Sequence, residues 1–364
     1  MSIESLFEPF SIKNLHLKNR FVLAAMSRYK NTGGIPNADF ADYHRRRAAG
    51  ELGLTVTGAT GIDRPASNNH PALANINQNT RAGWQAVVDD VHAAGGPIAL
   101  QLWHAGALFN VAPDWQPGPL ESPSGLEAPD KKVGEPMTDE QIADCIDDFA
   151  SAAKLGKEIG FDAMEIHGAH GFLIDEFFWN ATNLRTDQWG GKTLAERSHF
   201  ALEVIKAVRA AVGEEMALLM RISQWKEQDY DVKLASTPDE LQDWLGPLAE
   251  AGIDIFDCSQ RRFWEPEFEG SDLNFAGWVK KLLKVPTITV GSVGLSTDVM
   301  SFFHGEVAER APLDDLIRRF ERGDFDLVAV GRALLADPDW IIKVREGRGD
   351  EMPALDPKEI EEWI

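Results

Sequence analysis

Tyrosine is nearly missing from this chain: there are 3 in 364 residues, Tyr29, Tyr43 and Tyr230, against 19 phenylalanines and 11 tryptophans. Any step that needs a phenol hydroxyl has only those three positions to draw on. Cysteine is scarcer still, with 2 residues, Cys145 in a helical pattern and Cys258 at an expected strand end, so two reduced thiols are expected rather than a disulfide. Basic residues are in deficit: 36 Lys and Arg face 58 Asp and Glu, a net charge of −22. A surface so acidic repels phosphate backbones and anionic lipid, which argues against nucleic acid and membrane as partners, although a local basic pocket for one small phosphorylated ligand is compatible with it. No apolar run is long enough to span a bilayer, and Met1-Ser2-Ile3-Glu4-Ser5 is too polar to open a signal segment. A soluble, cytoplasmic protein is expected. Linkers, repeats and low-complexity tracts are also absent, so residues 1–364 read as a single domain.

What is present is alternation. Short apolar runs, Phe21–Ala25, Leu54–Ala59, Ile98–Trp103, Ala163–Ile166, Ala217–Ile222, Ile253–Cys258, Thr287–Val290 and Leu327–Val330, are bounded by Gly, Pro or Asp and are apolar on both faces, as buried parallel strands are. Amphipathic stretches separate them, among them Asp139–Ile159, Ala195–Val212, Pro238–Ala251 and Leu313–Arg322. Eight strands, each followed by helix, and no Gly-x-Gly-x-x-Gly turn after the first, favour an α/β fold of the (β/α)8 TIM-barrel kind over an open doubly wound sheet. Phe10–Arg20 reads as an N-terminal hairpin closing the barrel bottom. Two long βα loops, 109–136 and 261–272, follow strands three and six and are expected to shape a substrate pocket.

The chemistry should sit at the C-terminal ends of the strands, where barrel active sites are built. Gly291-Ser292 after strand seven and Gly331-Arg332 after strand eight offer backbone N–H groups, a cation and a helix start, the makings of a phosphate site. Gln101 and Arg221 point into the barrel mouth from strands three and five. An amide there meets both edges of a planar heterocycle, and a guanidinium stabilises negative charge on a reduced ring; a structural polar network is the plainer alternative. His167 and His170 follow strand four. They fit metal ligation poorly, because no convincing further set of ligands stands at the strand ends: His104 and Glu165 are possible extras, but Glu165 is expected to point away from its strand neighbours' face. They are either loop histidines satisfied by hydrogen bonds or, the reading that suits two converging donors best, neutral N–H donors that polarise an oxygen.

Read in order, these pieces resemble the old yellow enzyme family. The resemblance is carried by Leu17-Lys18-Asn19-Arg20 and Met26-Ser27-Arg28-Tyr29, by Gln101-Leu102-Trp103-His104-Ala105-Gly106, and by Glu165-Ile166-His167-Gly168-Ala169-His170-Gly171-Phe172-Leu173. It continues in Asn183-Leu184-Arg185-Thr186-Asp187-Gln188-Trp189-Gly190-Gly191 and in Val330-Gly331-Arg332-Ala333-Leu334-Leu335-Ala336-Asp337-Pro338, so it spans roughly residues 5–345. It implies noncovalent FMN held by Ala24, Ala25, Met26, Ser27, Ala59, Gln101, Arg221, Gly291, Gly331 and Arg332, with the phosphate near strands seven and eight. It implies that His167 and His170 bind the substrate carbonyl oxygen, that Tyr29 matches an active-site tyrosine of one branch, and that Trp103 holds a substrate-facing position known in another. The implied reaction has NADH or NADPH deliver hydride to the flavin N5, from which an activated alkene such as an enone takes it.

Four departures from the family pattern bear on that reaction. The proton-donating tyrosine two residues beyond the second histidine is Phe172, which has no proton to give; Tyr29, another polar group or water must replace it. The Thr or Cys near the flavin O4 is Ser27. The arginine that completes a His-Ala-Gly-Arg motif is replaced, leaving His104-Ala105-Gly106-Ala107. The C-terminal Glu361-Glu362-Trp363-Ile364 lacks the arginine finger that some family dimers insert into a partner. The chain is also too short for the iron–sulfur and second flavin domains of the dienoyl-CoA reductase and amine dehydrogenase relatives. An FMN-dependent ene-reductase with an altered proton path is the leading reading. Flavin-dependent substrate oxidation (desaturation or C–N cleavage) is the second, and a metal-dependent lyase or isomerase or a non-catalytic flavin carrier are more distant ones. The expected partner is a small enone-type molecule, with room left for a homo-oligomer.

Overall fold

The computed structural model describes residues 3–108, 112 and 114–359, so the expectation about Glu361–Ile364 lies outside the described residues. Eight strands form the frame: Phe21–Leu23, Thr55–Val56, Ile98–Trp103, Ala163–His170, Ala217–Lys226, Ile255–Ser259, Thr287–Val290 and Leu327–Val330. From the second to the eighth, neighbours along the chain pair in parallel, and the eighth returns to the first through Val328↔Phe21, Ala329↔Val22 and Val330↔Leu23. One bridge, Val22↔Leu54, joins the first strand to the second. It is flanked by Leu23 N–H to Leu54 O at 2.8 Å and Leu54 N–H to Phe21 O at 3.1 Å. The ring is closed, and closure removes the open sheet edges.

The two-sided apolarity of the strands has a direct cause. One face fills the barrel, where Leu219, Ile255 and Ile288 pack in one buried cluster with the small Ala99, Ala163 and Ala217; the other meets the surrounding helices. Each Leu or Ile buried in this way contributes roughly 1.5–3 kcal/mol. The expected hairpin is Phe10–Ile12 paired with Leu15–Leu17, and it buries Leu15 and Leu17 in the same cluster, closing the barrel bottom. Asn14 at its turn donates to Asp162 O and accepts from Ala217 N, which ties the hairpin to strands four and five.

The helix Asp139–Ile159 begins at a capping box of Thr138 and Gln141 and ends at Gly160, whose φ of +110° suits glycine. The stretch expected as one helix over 195–212 is two, Leu194–Arg197 and His199–Val212, because Thr193 and Glu196 form an early capping box and the Ser198 hydroxyl donates back to Leu194 O. Strands four and five run on to His170 and Lys226, beyond the ends read from hydrophobicity: pairing continues with a register shift to His170↔Lys226 after the apolar pattern stops. Cys145 and Cys258 are both buried and free. Among the described residues, no helix is long and apolar enough to cross a membrane.

The loop after strand three contains a small hairpin, Leu126–Ala128 with Lys131–Lys132, and is anchored by Glu121. Glu121 accepts from Arg64 Nε at 2.5 Å, Arg64 Nη2 at 2.7 Å and His104 Nε2 at 2.9 Å. His104 Nδ1 accepts the Gly106 N–H, so the hydrogen sits on Nε2 and both ring nitrogens are engaged in holding the loop. These donors outweigh burial and hold the Glu121 carboxyl down at about 2, below its ordinary 4.5. A depressed carboxylate stabilises the fold above its unfolded pKa, and that contribution is lost as pH falls from about 4.5 to about 2; here it is about 3 kcal/mol. Glu121→Gln is therefore expected to lose about that much stability at neutral pH and almost none at the acid end. Urea unfolding across that range checks it, and an equal loss at every pH would count against the assignment.

Candidate active site

Residues two apart on a strand share a face, so the inward position of His167 carries Glu165 inward as well. The expectation that Glu165 points away is corrected: it is fully buried and accepts Gln101 Nε2 at 2.6 Å. On the next two strands Arg221 donates Nε to Asp257 Oδ2 at 2.8 Å, and its Nη2 lies 2.6 Å from the same oxygen; Nη1 reaches Ala25 O at 3.2 Å. Gln101, Glu165, Asp257 and Arg221 thus form one buried row at the mouth. Burial, with the like charge of Asp257, pushes the Glu165 carboxyl up to about 8.

His167 and His170 are brought together, with ring centroids 5.1 Å apart. His170 has φ +65°, a left-handed conformation that costs a non-glycine residue about 1 kcal/mol, and several bonds hold it there. Its N–H donates to Ser223 Oγ at 2.9 Å, its carbonyl accepts the Glu227 N–H at 3.0 Å, and Nε2 lies 2.8 Å from Ser259 Oγ. Gly171 follows at φ +85°, where any Cβ would stand 2.0 Å from Gln228 Oε1; its N–H donates to Asp175 Oδ2 at 2.7 Å. Asp175 in turn is gripped by Lys226 Nζ, 2.8 Å from both oxygens, and both side chains are wholly buried. Burial raises the Asp175 pKa and lowers that of Lys226 despite their attraction. Burial and the Arg221 charge drive the His167 pKa down to about 3, and His170 falls well below its usual value for the same reasons together with its neighbour. Both rings are neutral at physiological pH, each with one N–H.

These groups open on a cavity of about 530 Å³, which adjoins a second of about 230 Å³ through shared walls at Arg221, His170 and Arg332. Ala24, Gly291 and Gly331 line the smaller cavity alone; every other cofactor and substrate candidate from the sequence lines the larger. Trp103, Phe172 and His167 form one wall by edge contacts of 5.1 and 5.3 Å. Tyr29 stands at the open side against His70, while Tyr43 is buried elsewhere under Arg47, at 3.5 Å. A larger groove of about 800 Å³ lies on the outside of the barrel and carries none of the strand-end residues.

In the smaller cavity, Arg332 donates to Asp298 O, to Thr297 O and to Ser292 Oγ, and among the described residues it makes no ion pair. Burial lowers its pKa to about 10, which leaves it charged. The helix expected to help an anion here, Arg332–Ala336, is only five residues long, so its dipole is weak and the guanidinium carries the charge. Among the described residues no set of three His, Cys, Asp or Glu side chains could hold a metal ion.

Several wall residues were not legible beforehand. Trp225 stacks on His170 at 4.3 Å and on Tyr230 at 4.9 Å, with Arg261 over Tyr230 at 5.6 Å. Glu227 lines both cavities, and burial pushes its carboxyl up to about 7. The short helix Val299–Phe303 lays Phe303 over both; its signal was Asp298, an N-cap that accepts from Met300 N and Ser301 N. Residues 109–111 and 113 of the 109–136 loop lie outside the described residues, and none of its described residues lines the larger cavity; from the second loop Arg261 reaches the smaller one.

The family model described as NADH:flavin oxidoreductase / NADH oxidase matches residues 5–351. An NADPH dehydrogenase of Clostridium acetobutylicum is 31% identical over 93% of this chain and 93% of its own length. An NADH oxidase of Thermoanaerobacter brockii is 31% identical over 96% of this chain, which spans only 52% of that relative. Among solved structures, morphinone reductase in complex with tetrahydroNAD superposes with a TM-score of 0.80 at 27% identity, over 98% of this chain and 94% of that one. An old yellow enzyme from Pichia sp. AKU4542, 24% identical with a TM-score of 0.79 over 96% and 88%, shares the fold. With strand-end groups of this kind on a closed barrel, the chain belongs to the NADH:flavin oxidoreductase / NADH oxidase family, the old yellow enzymes, and is an FMN-dependent NAD(P)H oxidoreductase.

Proposed function

We propose that this enzyme reduces the activated C=C bond of α,β-unsaturated carbonyl compounds at the expense of NADH or NADPH. One observation carries the reading: two neutral histidines, fixed on one turn, face the cavity that the Gln101–Arg221 row borders. Each offers an N–H to the substrate carbonyl, whose oxygen gains negative charge as the β-carbon accepts hydride. Preorganised donors of this kind contribute about 10²–10³-fold apiece.

The residues present fit FMN. Gln101 commits its Nε2 to Glu165, leaving its carbonyl oxygen to accept from a ring N–H. Arg221 stands beside it as the cation for charge on the pyrimidine edge, and Arg332, lacking an ion-pair partner among the described residues, suits the phosphate with Gly291 and Gly331 alongside. Ala24, Ala25, Met26, Ser27 and Ala59 would pack against the ring and its edges. Bound there, FMN supplies a two-electron carrier that takes hydride from the nicotinamide and gives it to carbon. Trp103 and Phe172 supply an apolar wall for the alkene. Phe172 donates nothing, and Tyr29, on the open side of the same cavity, is the proposed source of the proton for the α-carbon.

Anaerobic mixing tests this reading. NADH or NADPH should bleach the bound flavin, and cyclohexenone should then restore its colour with formation of the saturated ketone. Recovery with quinones or nitro compounds but not with cyclohexenone would overturn it. The absence of a phenol at Phe172 favours one other reading, substrate oxidation, in which a saturated substrate bleaches the flavin with no nicotinamide present.

A further inference from the structure

The row beneath the proposed flavin site holds one cation and two carboxyl groups. Arg221 faces Asp257, and Glu165 stands in the same buried row, where the like charge of Asp257 acts on its carboxyl. Of the four carboxyl oxygens, Glu165 Oε1 accepts from Gln101 and Asp257 Oδ2 from Arg221. The other two, Glu165 Oε2 and Asp257 Oδ1, are buried and have no hydrogen-bond partner. Two ionised carboxylates would leave one negative charge uncompensated and two lone-pair-bearing oxygens unsatisfied in a site shielded from water, a costly arrangement. The groups facing them supply no further charge: strand three brings Gln101, strand four His167, which is neutral, strand five Arg221, strand six Ser259 beyond Asp257, and strand one only the Ala25 carbonyl.

We propose that Glu165 is a positioning residue for the flavin: it shares one proton with Asp257, which keeps the row neutral and holds the Gln101 carbonyl toward the ring. The proton closes the network in one sense. Gln101 Nε2 donates to Glu165 Oε1, Glu165 Oε2–H donates to Asp257 Oδ1, and Arg221 donates to Asp257 Oδ2. Burial and the neighbouring Asp257 both favour the protonated Glu165. Loss of the proton at alkaline pH gives the row a net charge of −1 and turns it against the electrons a reduced flavin carries. By linkage, the row binds its proton more tightly when the flavin is reduced. In the alkaline range, reduction therefore draws one proton from solvent onto Glu165; the two electrons come from the nicotinamide, and nothing in the row is oxidised or reduced.

The test is the flavin midpoint potential of the holoenzyme followed by spectroelectrochemistry from neutral to alkaline pH. The wild type should steepen by one extra proton per two electrons on passing through the titration of Glu165. Glu165→Gln, whose amide reproduces the bonds of the protonated acid, should keep the neutral-pH potential and lose the extra slope. FMN release, read by the fluorescence of free flavin, should rise at alkaline pH in the wild type and stay flat in the variant. Asp257→Asn should abolish the steepening as well, and it serves where Glu165→Gln folds poorly. The same slope in wild type and both variants, or a neutral-pH potential in Glu165→Gln equal to that of the alkaline wild type, overturns the proposal. These readouts do not depend on the substrate, so a protein that fails to reduce cyclohexenone still decides the matter.

Discussion

Phe172→Tyr is expected to raise the rate of cyclohexenone reduction by about 10²-fold, the lower end of what a positioned general acid contributes. Phe172 is held between Trp103 and His167 on the cavity wall, so a hydroxyl added to its ring enters on a fixed support next to the carbonyl-binding histidines. The present alternative, Tyr29, is 44% exposed, and burial of its ring together with the charge of Glu227 raises its phenol pKa, making it a looser and weaker acid. Only the half-reaction in which the alkene reoxidises the flavin should accelerate; bleaching by NADH or NADPH involves no protonation of carbon and should stay as it is. Stopped-flow measurement of the two halves separates them. An unchanged alkene half-reaction would mean that protonation is not slow in the parent enzyme and that Tyr29 already suffices.

The second large effect is on stability. Lys226→Met leaves Asp175 as a buried carboxyl without its cation, a change that typically costs 3–5 kcal/mol. The damage should spread to the turn, because Asp175 Oδ2 also accepts the Gly171 N–H that follows the left-handed His170. Lys226→Met combined with Asp175→Asn should recover most of the loss, since asparagine keeps an acceptor for Gly171 and carries no charge. Urea unfolding reports the stability, and kcat/KM for the enone reports the histidine geometry. A single variant within about 1 kcal/mol of the parent would show that the pair is neutral in place and that its charge holds nothing.

The barrel was legible because its strands are apolar on both faces and its helices carry ordinary caps, as at Thr138 and Gly160. Where pairing outruns hydrophobicity the reading stopped short. Trp225, Glu227 and Tyr230 lie at or just past the end of a strand whose apolar run finishes at Ile222, so three wall residues went unseen. Gln101 and Arg221 were found because long polar side chains on apolar strands are conspicuous. Glu165 and Asp257 were not, since two carboxyl groups inside a barrel contradict the expectation of an apolar filling; strict alternation from His167 would have turned Glu165 inward. Phe303 was missed because its helix is one short turn after a cap, shorter than periodicity can detect.

The single bridge between strands one and two is the shortest seam of the barrel. Every other seam is a ladder of at least two paired positions, whereas this one rests on Val22↔Leu54. The amides of Leu23 and Leu54, which are bonded across this seam, are expected to exchange ahead of those in the longer ladders, as amide hydrogen exchange would show. Met26, Ser27 and Ala59 emerge from those two strands into the cavity. A planar molecule seated across them would act as the missing rung, tying the weakest stave of the barrel to its neighbour.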